Sequence, residues 1–376
     1  MPDNTFTLNG RTVSYEPGQT ILGAAEAEGV RIPTLCYLKG ATPTGACRIC
    51  LVEVEGARAL LASCATPVVS GMIVQTDSPR VVKARRLNIE LLLASGNHNC
   101  LATQLDPHRW TDFQITANER EDGDQRCPAW GDCRLQDLAI EYGVRTDRFS
   151  PRTDHPPVEN VNPLIIRDFS RCILCGRCVQ ACNEIQVNLA ISHGYRGSDA
   201  KIVTSGDRPL AESDCVFCGE CVQACPVGAL IEKKSRDLWR PWAVEKIRTT
   251  CPYCGVGCQQ WLHVRDGQIV RVTGVEGAEP NQGRLCVKGR FGYDFIHSDE
   301  RLKTPLIREN DRFREASWDE ALDLVSDTFR DIISNHGPDA VAGVSCARSI
   351  NEDSYQMQKL FRAVFKTNNI DHCART

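Results

Sequence analysis

The sequence predicts a multidomain α+β chain built from small cysteine-rich modules, and three observations carry that prediction. The first is the cysteine content: 21 of 376 residues, nineteen of them in five compact groups that leave only Cys346 and Cys373 outside. Thiols this numerous, in a chain whose first residues lack a signal-peptide pattern, are metal ligands before they are disulfides. The second is an internal repeat, Cys172-x2-Cys175-x2-Cys178-x3-Cys182 and Cys215-x2-Cys218-x2-Cys221-x3-Cys225-Pro226, whose spacing is that of a bacterial chain enclosing two iron–sulfur clusters. The third is a change of pattern, from β-type alternation near the start to alternating helix and strand after Ser317. At this length a single core is exceeded, so several units are expected. With 44 basic and 48 acidic residues and a net charge of -4, nucleic acid is excluded as a partner. No apolar stretch approaches the roughly 20 residues of a membrane helix. The expected location is the cytoplasm, or the periphery of a membrane complex. Arg85-Arg86 stands too far inside for an export signal and reads as the solvated face of a helix.

Residues 1–79 open with alternating Phe6–Tyr15 around Asn9-Gly10, the favoured two-residue hairpin turn. Thr20–Gly29 follows as a short helix ending at glycine. This is the order of a β-grasp ferredoxin. Cys36, Cys47, Cys50 and Cys64 then supply the ligands of one [2Fe–2S] cluster, in a wider spacing than the plant type. The arrangement resembles the [2Fe–2S] domain at the front of the large iron–sulfur subunit of complex I.

Residues 80–150 begin with a helix over Pro79–Gly96 whose stripe of Val81, Val82, Ala84, Leu87, Ile89, Leu91, Leu92 and Leu93 is expected to be core. A ligand group of His98, Cys100, Cys127 and Cys133 follows. The complex I, formate dehydrogenase and iron-hydrogenase families carry His-x3-Cys-x2-Cys-x5-Cys here, a [4Fe–4S] site. The Cys127-x5-Cys133 half matches, and Arg134-Leu135-Gln136 after it. His98 stands two positions before Cys100, and 26 residues separate Cys100 from Cys127. Loop-closure entropy grows only logarithmically, so the cluster can survive the insertion; the alternative is a lost site with His98 and His108 as surface histidines.

Residues 151–163 read as a proline-rich linker. Residues 164–240 then hold the repeat. In the two-cluster fold the fourth cysteine of each run reaches across to the other cluster. Cys172, Cys175, Cys178 and Cys225 form one [4Fe–4S] set; Cys182, Cys215, Cys218 and Cys221 form the other. Zinc is the alternative for any single Cys-x2-Cys pair.

Residues 245–300 read as a small β-rich lobe with a hairpin around Asp266-Gly267. Cys251-x2-Cys254-x3-Cys258-x27-Cys286 puts three thiolates on one loop and brings in a fourth to enclose a [4Fe–4S] cluster. With Arg284-Leu285-Cys286-Val287-Lys288-Gly289-Arg290, this lobe resembles the entry-cluster region of molybdenum- or tungsten-dependent formate dehydrogenases. The resemblance implies that Lys288 lies between cluster and pterin, where its charge favours electron passage.

Residues 301–376 read as the start of an α/β molybdopterin domain: a Ser317/Glu320 capping box, a helix ending at Gly337-Pro338, a strand at Ala340–Ser345, and a helix over Asn351–Lys366. The latter carries a core stripe of Tyr355, Leu360, Phe361, Val364 and Phe365. Cys346 and Cys373 are expected to pack as small core residues. Thr367–Thr376 resembles the formate dehydrogenase segment just before the metal-ligating cysteine or selenocysteine. No catalytic residue is therefore expected within the chain; its ligand would come just after Thr376, and an end there suggests a UGA codon read as a stop, or a fragment.

The resemblance spans essentially the whole chain. It implies the iron–sulfur portion of a formate dehydrogenase, with one [2Fe–2S] and three to four [4Fe–4S] clusters. The molybdenum or tungsten bis-pterin belongs only to the complete protein. Electrons would leave past Lys288, through the Cys251 set and the ferredoxin pair, by the Cys100 set to the [2Fe–2S] centre. Flavin/NAD-binding or ferredoxin-type subunits would accept them, since no Gly-x-Gly-x-x-Gly segment stands ready here. The alternatives are a complex I large-subunit-like NADH dehydrogenase component and a non-catalytic electron-transfer subunit.

Overall fold

The computed structural model describes residues 4–96, 98, 127–144, 148–150, 152, 154, 156–236 and 238–373. These fall into two compact units, Met1–Val244 and Glu245–Thr376. No helix among the described residues is long and apolar enough to cross a membrane.

In the first unit β1 (Thr5–Leu8) and β2 (Arg11–Ser14) form the expected hairpin, with Asn9 and Gly10 both at positive φ. β3 (Leu51–Val54), β4 (Leu61–Ala62) and β5 (Ile73–Gln75) complete a sheet in the order β2-β1-β5-β3-β4, in which β1 and β5 run parallel. Helix α1 (Ile21–Ala27) is capped by Thr20, whose hydroxyl accepts from Gly23 N, and buries Ile21, Leu22, Ala24 and Ala25 against Phe6, Leu8, Val52 and Val74. Helix α2 (Pro79–Ala94) starts at Ser78, with Pro79 at a first-turn position where no amide partner is lost. Its buried face is Val81, Arg85, Ile89, Glu90 and Leu93, whereas Leu87 and Leu91 are exposed. The expected solvated face is thus corrected at Arg85, which is fully buried.

Helix α3 (Arg134–Glu141) packs on α2 through a core that includes Leu35, Ile49, Ile89, Leu138 and Val227. The proline-rich stretch does not run free. Glu159 bridges back to Arg167, and buried Asn162 accepts from the amides of Leu164 and Ile165. β6 (Ile165–Arg167) leads into α4 (Arg177–Gln180), which continues as a π turn over Ala181–Ile185. A small hairpin, β7 (Ser192–Gly194) and β8 (Lys201–Val203), follows. Helix α5 (Glu220–Ala224) and β9 (Leu230–Glu232) close the repeat, β9 pairing antiparallel with β6.

The second unit begins with an antiparallel sheet of β10 (Glu245–Thr250), β11 (Gln259–Arg265) and β12 (Gln268–Gly274), turned at Asp266-Gly267 as expected. Helix α6 (Val287–Phe291) and a hairpin of β13 (Leu306–Glu309) and β14 (Arg312–Glu315) precede helix α7 (Trp318–His336). Ser317 accepts from Glu320 N at 3.2 Å. The capping box is one-sided, because the Glu320 carboxylate pairs with Arg314 instead of returning to the cap. β15 (Gly343–Ser345), α8 (Asn351–Lys359) and β16 (Ile370–His372) form a parallel βαβ unit.

Three expectations are corrected in this unit. A 3₁₀ turn takes Pro338–Ala340, so the strand starts only at Gly343. The second helix widens to a π turn over Leu360–Phe365, after which Lys366 is left-handed. Of its stripe only Phe361 is buried, while α7 buries no residue. Phe329 of α7 meets Phe365 with ring centroids 5.0 Å apart, but two strands leave Leu322, Leu324 and Val325 largely open. Cys346 is half-buried and Cys373 exposed, so neither is a core residue.

Candidate iron–sulfur centres

The loop after α1 carries Cys36, Cys47 and Cys50, and Cys64 follows β4. Cys36 N donates to Cys47 Sγ at 3.4 Å, and Cys36, Cys50 and Cys64 are buried. The hydrogen bond from Cys47 brings the Cys36 thiol down to about 5, and that from Cys64 brings Cys50 down to about 6. Their partners Cys47 and Cys64 are pushed up by the same pairing and by burial. Cys64 feels the charges of Cys50, Cys36 and Cys47 together. Two hydrogen-bonded thiol pairs, Cys36 with Cys47 and Cys50 with Cys64, form a donor set suited to a small cluster that takes only thiolates.

The two halves of the repeat have the same local backbone. Leu174 and Phe217, each two residues after the first cysteine of its run, both have φ 53°, and their amides donate to Cys172 Sγ and Cys215 Sγ, each at 3.4 Å. Gly176 and Gly219 follow at φ 78° and 71°, a left-handed conformation that glycine takes without strain and that reverses the loop into α4 and α5. Cys172, Cys175, Cys178 and Cys225 line one cavity walled by Ile173, Ile191, Ile202, Leu210 and Val227; Cys221 reaches it too. Burial pushes Cys172 up to about 11 and Cys175 up to about 12, and raises Cys178 strongly. Dry thiols of this kind deprotonate only against a compensating positive charge, which bound iron provides. Around Cys215, burial acts first, then the Phe217 amide and the charges of Cys218 and Cys182.

In the second unit Cys251, Cys254, Cys258 and Cys286 meet at the end of the β10–β11 sheet. Burial raises Cys251 and Cys258, and each feels the charges of the other three ligand positions or of two of them. Cys251 N donates to Cys258 O at 2.8 Å, closing the loop. Cys286 stands at the start of α6, and Gly289 on the same helix packs beside Cys251, where a Cβ would make an ordinary contact 3.5 Å from Cys251 Sγ. Lys288 sits exposed on the same turn. The loop is held from outside by Asn351, whose Nδ2 donates to Gly255 O at 2.7 Å.

The remaining set is only partly visible. Cys100, His108 and most of the insertion lie outside the described residues. Gly96 allows a close approach at the end of α2, where a Cβ would stand 2.5 Å from Ser170 O and 2.9 Å from His98 Nε2. The next residue, Arg171, donates to Cys127 Sγ at 3.4 Å. Cys127 and Cys133 share a core with Cys47, Cys172 and Cys225. Among the described residues no group of three or more His, Cys, Asp or Glu side chains converges on a single ion. A tetrahedral zinc site would need its sulfurs about 2.3 Å from one point, whereas a cluster spreads them over several irons.

Comparison with known proteins follows the same division. A 2Fe-2S iron-sulfur cluster binding domain family matches residues 4–79, and a 4Fe-4S dicluster domain family matches 171–229. The molybdopterin oxidoreductase Fe4S4 domain matches 244–298, and the molybdopterin oxidoreductase family matches 301–376. The last two modules thus match molybdopterin oxidoreductase domains. It is 37% identical over 371 residues to one of the NADH-quinone oxidoreductase subunits of Rhizobium meliloti, covering 98% of this chain and 40% of that protein. It is 30% identical over 407 residues to a Staphylococcus aureus protein named provisionally as a formate dehydrogenase, covering 98% of this chain and 39% of that one. A chain of the crystal structure of an NAD+-reducing [NiFe]-hydrogenase in the H2-reduced state matches with TM-score 0.52 and 32% identity, over 63% of this chain and 90% of that chain. The chain thus spans about two fifths of the length of the curated relatives it matches.

Three buried arginines beside the cysteine sets carry no motif signature. Arg85 donates all five guanidinium N–H groups, to the carbonyls of Ile49, Leu51 and Thr76, to Asp77 and to Tyr142 Oη. Arg177 donates to Tyr37 O and Ala224 O. Arg171 is the third, through its contact with Cys127. The available signal was adjacency, since Arg171 and Arg177 directly precede Cys172 and Cys178. Arg85 has no such marker.

Proposed function

We propose that the chain is the iron–sulfur electron-transfer portion of a formate dehydrogenase. The observation that carries the reading is the order of cysteine sets in one chain: a [2Fe–2S]-type set, a two-cluster ferredoxin and a molybdopterin-type lobe. The residue likeness at Thr367–Thr376 and the name of the S. aureus relative support formate as the substrate.

Clusters bound in these sets would pass electrons singly, and the protein's own residues hold, bury and space them. On this reading the N-terminal module is a β-grasp ferredoxin holding one [2Fe–2S] cluster at Cys36, Cys47, Cys50 and Cys64. Three [4Fe–4S] sets use Cys172, Cys175, Cys178 and Cys225; Cys182, Cys215, Cys218 and Cys221; and Cys251, Cys254, Cys258 and Cys286. A fourth uses His98, Cys100, Cys127 and Cys133. Residues 37–42 lie directly on α4 and its π turn, through Arg177 to Tyr37 O, Gln180 to Thr42 O and Thr42 N to Glu184. This packing supports a direct step between the first ferredoxin set and the [2Fe–2S] set. Lys288 is assigned to the gap between the Cys251 set and the pterin of the complete protein. Flavin/NAD-binding or ferredoxin-type subunits receive the electrons in the cytoplasm.

The test is anaerobic purification of the full-length protein from its source. Formate should reduce a viologen dye, and metal analysis should give molybdenum or tungsten together with about 14 to 18 iron atoms, the content of one [2Fe–2S] and three to four [4Fe–4S] clusters. A second reading, an NADH dehydrogenase component, draws on the name of the R. meliloti relative. NADH-dependent dye reduction by its complex, with no formate activity and neither metal, would replace the first reading by the second.

A further inference from the structure

Two thiols stand outside every cluster set, and the fold brings them together. Cys346 follows β15 and Cys373 follows β16. These strands pair in parallel with Ser345 opposite His372, so the cysteines occupy the next register position. Their sulfurs are 3.5 Å apart, about 1.5 Å more than a disulfide bond, and neighbouring strand positions lie within the Cα range that a disulfide spans. Cys373 is exposed and Cys346 half-buried. The pair sits at the carboxyl ends of parallel strands, the edge of an α/β sheet that is open to small molecules.

We propose that Cys346 and Cys373 form an oxidisable dithiol, a modification site at which hydrogen peroxide closes a reversible disulfide across the ends of β15 and β16. The Cys373 thiolate attacks one peroxide oxygen, the O–O bond breaks, hydroxide leaves, and a sulfenic acid remains. The Cys346 thiol then attacks that sulfur, the S–O bond breaks, and water departs with the thiol proton as the S–S bond forms. Two electrons pass from the two sulfurs to the peroxide. Cys373 is the residue suited to attack first: hydrogen bonds from the Ala347 amide and from Cys346, with the Arg348 charge, hold its thiol below the ordinary value. Cys346 in turn accepts from Arg348 N at 3.3 Å.

The test exposes the intact, cluster-loaded protein to stepwise hydrogen peroxide, blocks free thiols with iodoacetamide and follows both peptides by mass spectrometry. The expected result is that alkylated Cys346 and Cys373 disappear together and a linked peptide pair, two hydrogens lighter than its parts, appears before any cluster cysteine becomes reactive. Dithiothreitol should restore both. In Cys346→Ser, Cys373 should instead stop at a sulfenic acid that dimedone traps. The proposal is overturned if Cys373 advances to sulfinic acid while Cys346 stays free. It is equally overturned if neither thiol reacts, or if they link only amid scrambled pairs after cluster loss.

Discussion

The Arg177 guanidinium donates to the carbonyl of Tyr37 at 2.5 Å and to that of Ala224 at 2.7 Å. One buried side chain thereby ties the residue after Cys36 to the residue before Cys225, joining the cysteine sets of two modules. Its backbone amide and its charge also act on Cys175 in the direction of the thiolate.

Removing that charge has a defined redox direction. Arg177→Met should lower the midpoint potential of the cluster held by Cys175, since an oxidised cluster is relatively favoured when a nearby positive charge is lost. It should also cost about 3 kcal/mol, the loss expected on leaving buried partners unpaired. Redox titration followed by electron paramagnetic resonance checks the first effect. An unchanged potential would show that Arg177 only holds the modules together.

Arg85 is the corresponding tie within the N-terminal half. Arg85→Met strands the carbonyls of Ile49, Leu51 and Thr76 in a dry interior, and about 3–5 kcal/mol should be lost. Because Ile49 and Leu51 flank Cys50, the circular dichroism of the [2Fe–2S] centre should weaken along with the melting temperature. Arg85→Lys should recover only part of either, since an ammonium cannot replace a planar fork with five donors.

Ligand substitution tests the crossed assignment. Cys225→Ser should remove or alter the cubane of the Cys172 set, lowering iron by up to about 4 atoms per chain, and leave the signals of the other sets. Loss of the Cys215 set instead would overturn the crossing.

His263 supplies a pH dependence. It is buried in β11, with Nε2 2.9 Å from Thr273 Oγ1, and burial, then the charges of Arg271 and Lys246, push its pKa down to about 3. The unfolded chain therefore binds a proton below its ordinary 6.5 that the folded chain refuses. The stabilisation is complete above that value and is lost progressively as pH falls toward 3. Between pH 7 and pH 5 the loss should be about 2 kcal/mol. The melting temperature of wild type should fall more over this interval than that of His263→Gln; parallel curves would show that His263 does not titrate in this way.

Features encoded among near neighbours could be read from the residues alone. Turns at Asn9-Gly10 and Asp266-Gly267, the cap at Ser317 and the two matching cysteine loops need only a few consecutive residues. Their conformations follow from local sterics and short hydrogen bonds, which explains why they were legible before any tertiary contact was known. The cysteine spacing was legible for the same reason, since three donors within a few residues share one loop. How these pieces meet depends on contacts between distant residues. Arg177 finds a partner 140 residues away, Arg85 one 57 residues away, and Cys346 one 27 residues away. A helical pattern records that a residue lies on a face, and Arg85 read as solvated because arginine is seldom desolvated unless every donor is met. Those acceptors, the carbonyls of Ile49, Leu51 and Thr76, come from loops and strand ends whose approach no spacing encodes. The stripes of α7 and α8 fail in the opposite sense. An apolar face signals that burial is favourable, but which element covers it is settled by packing alone.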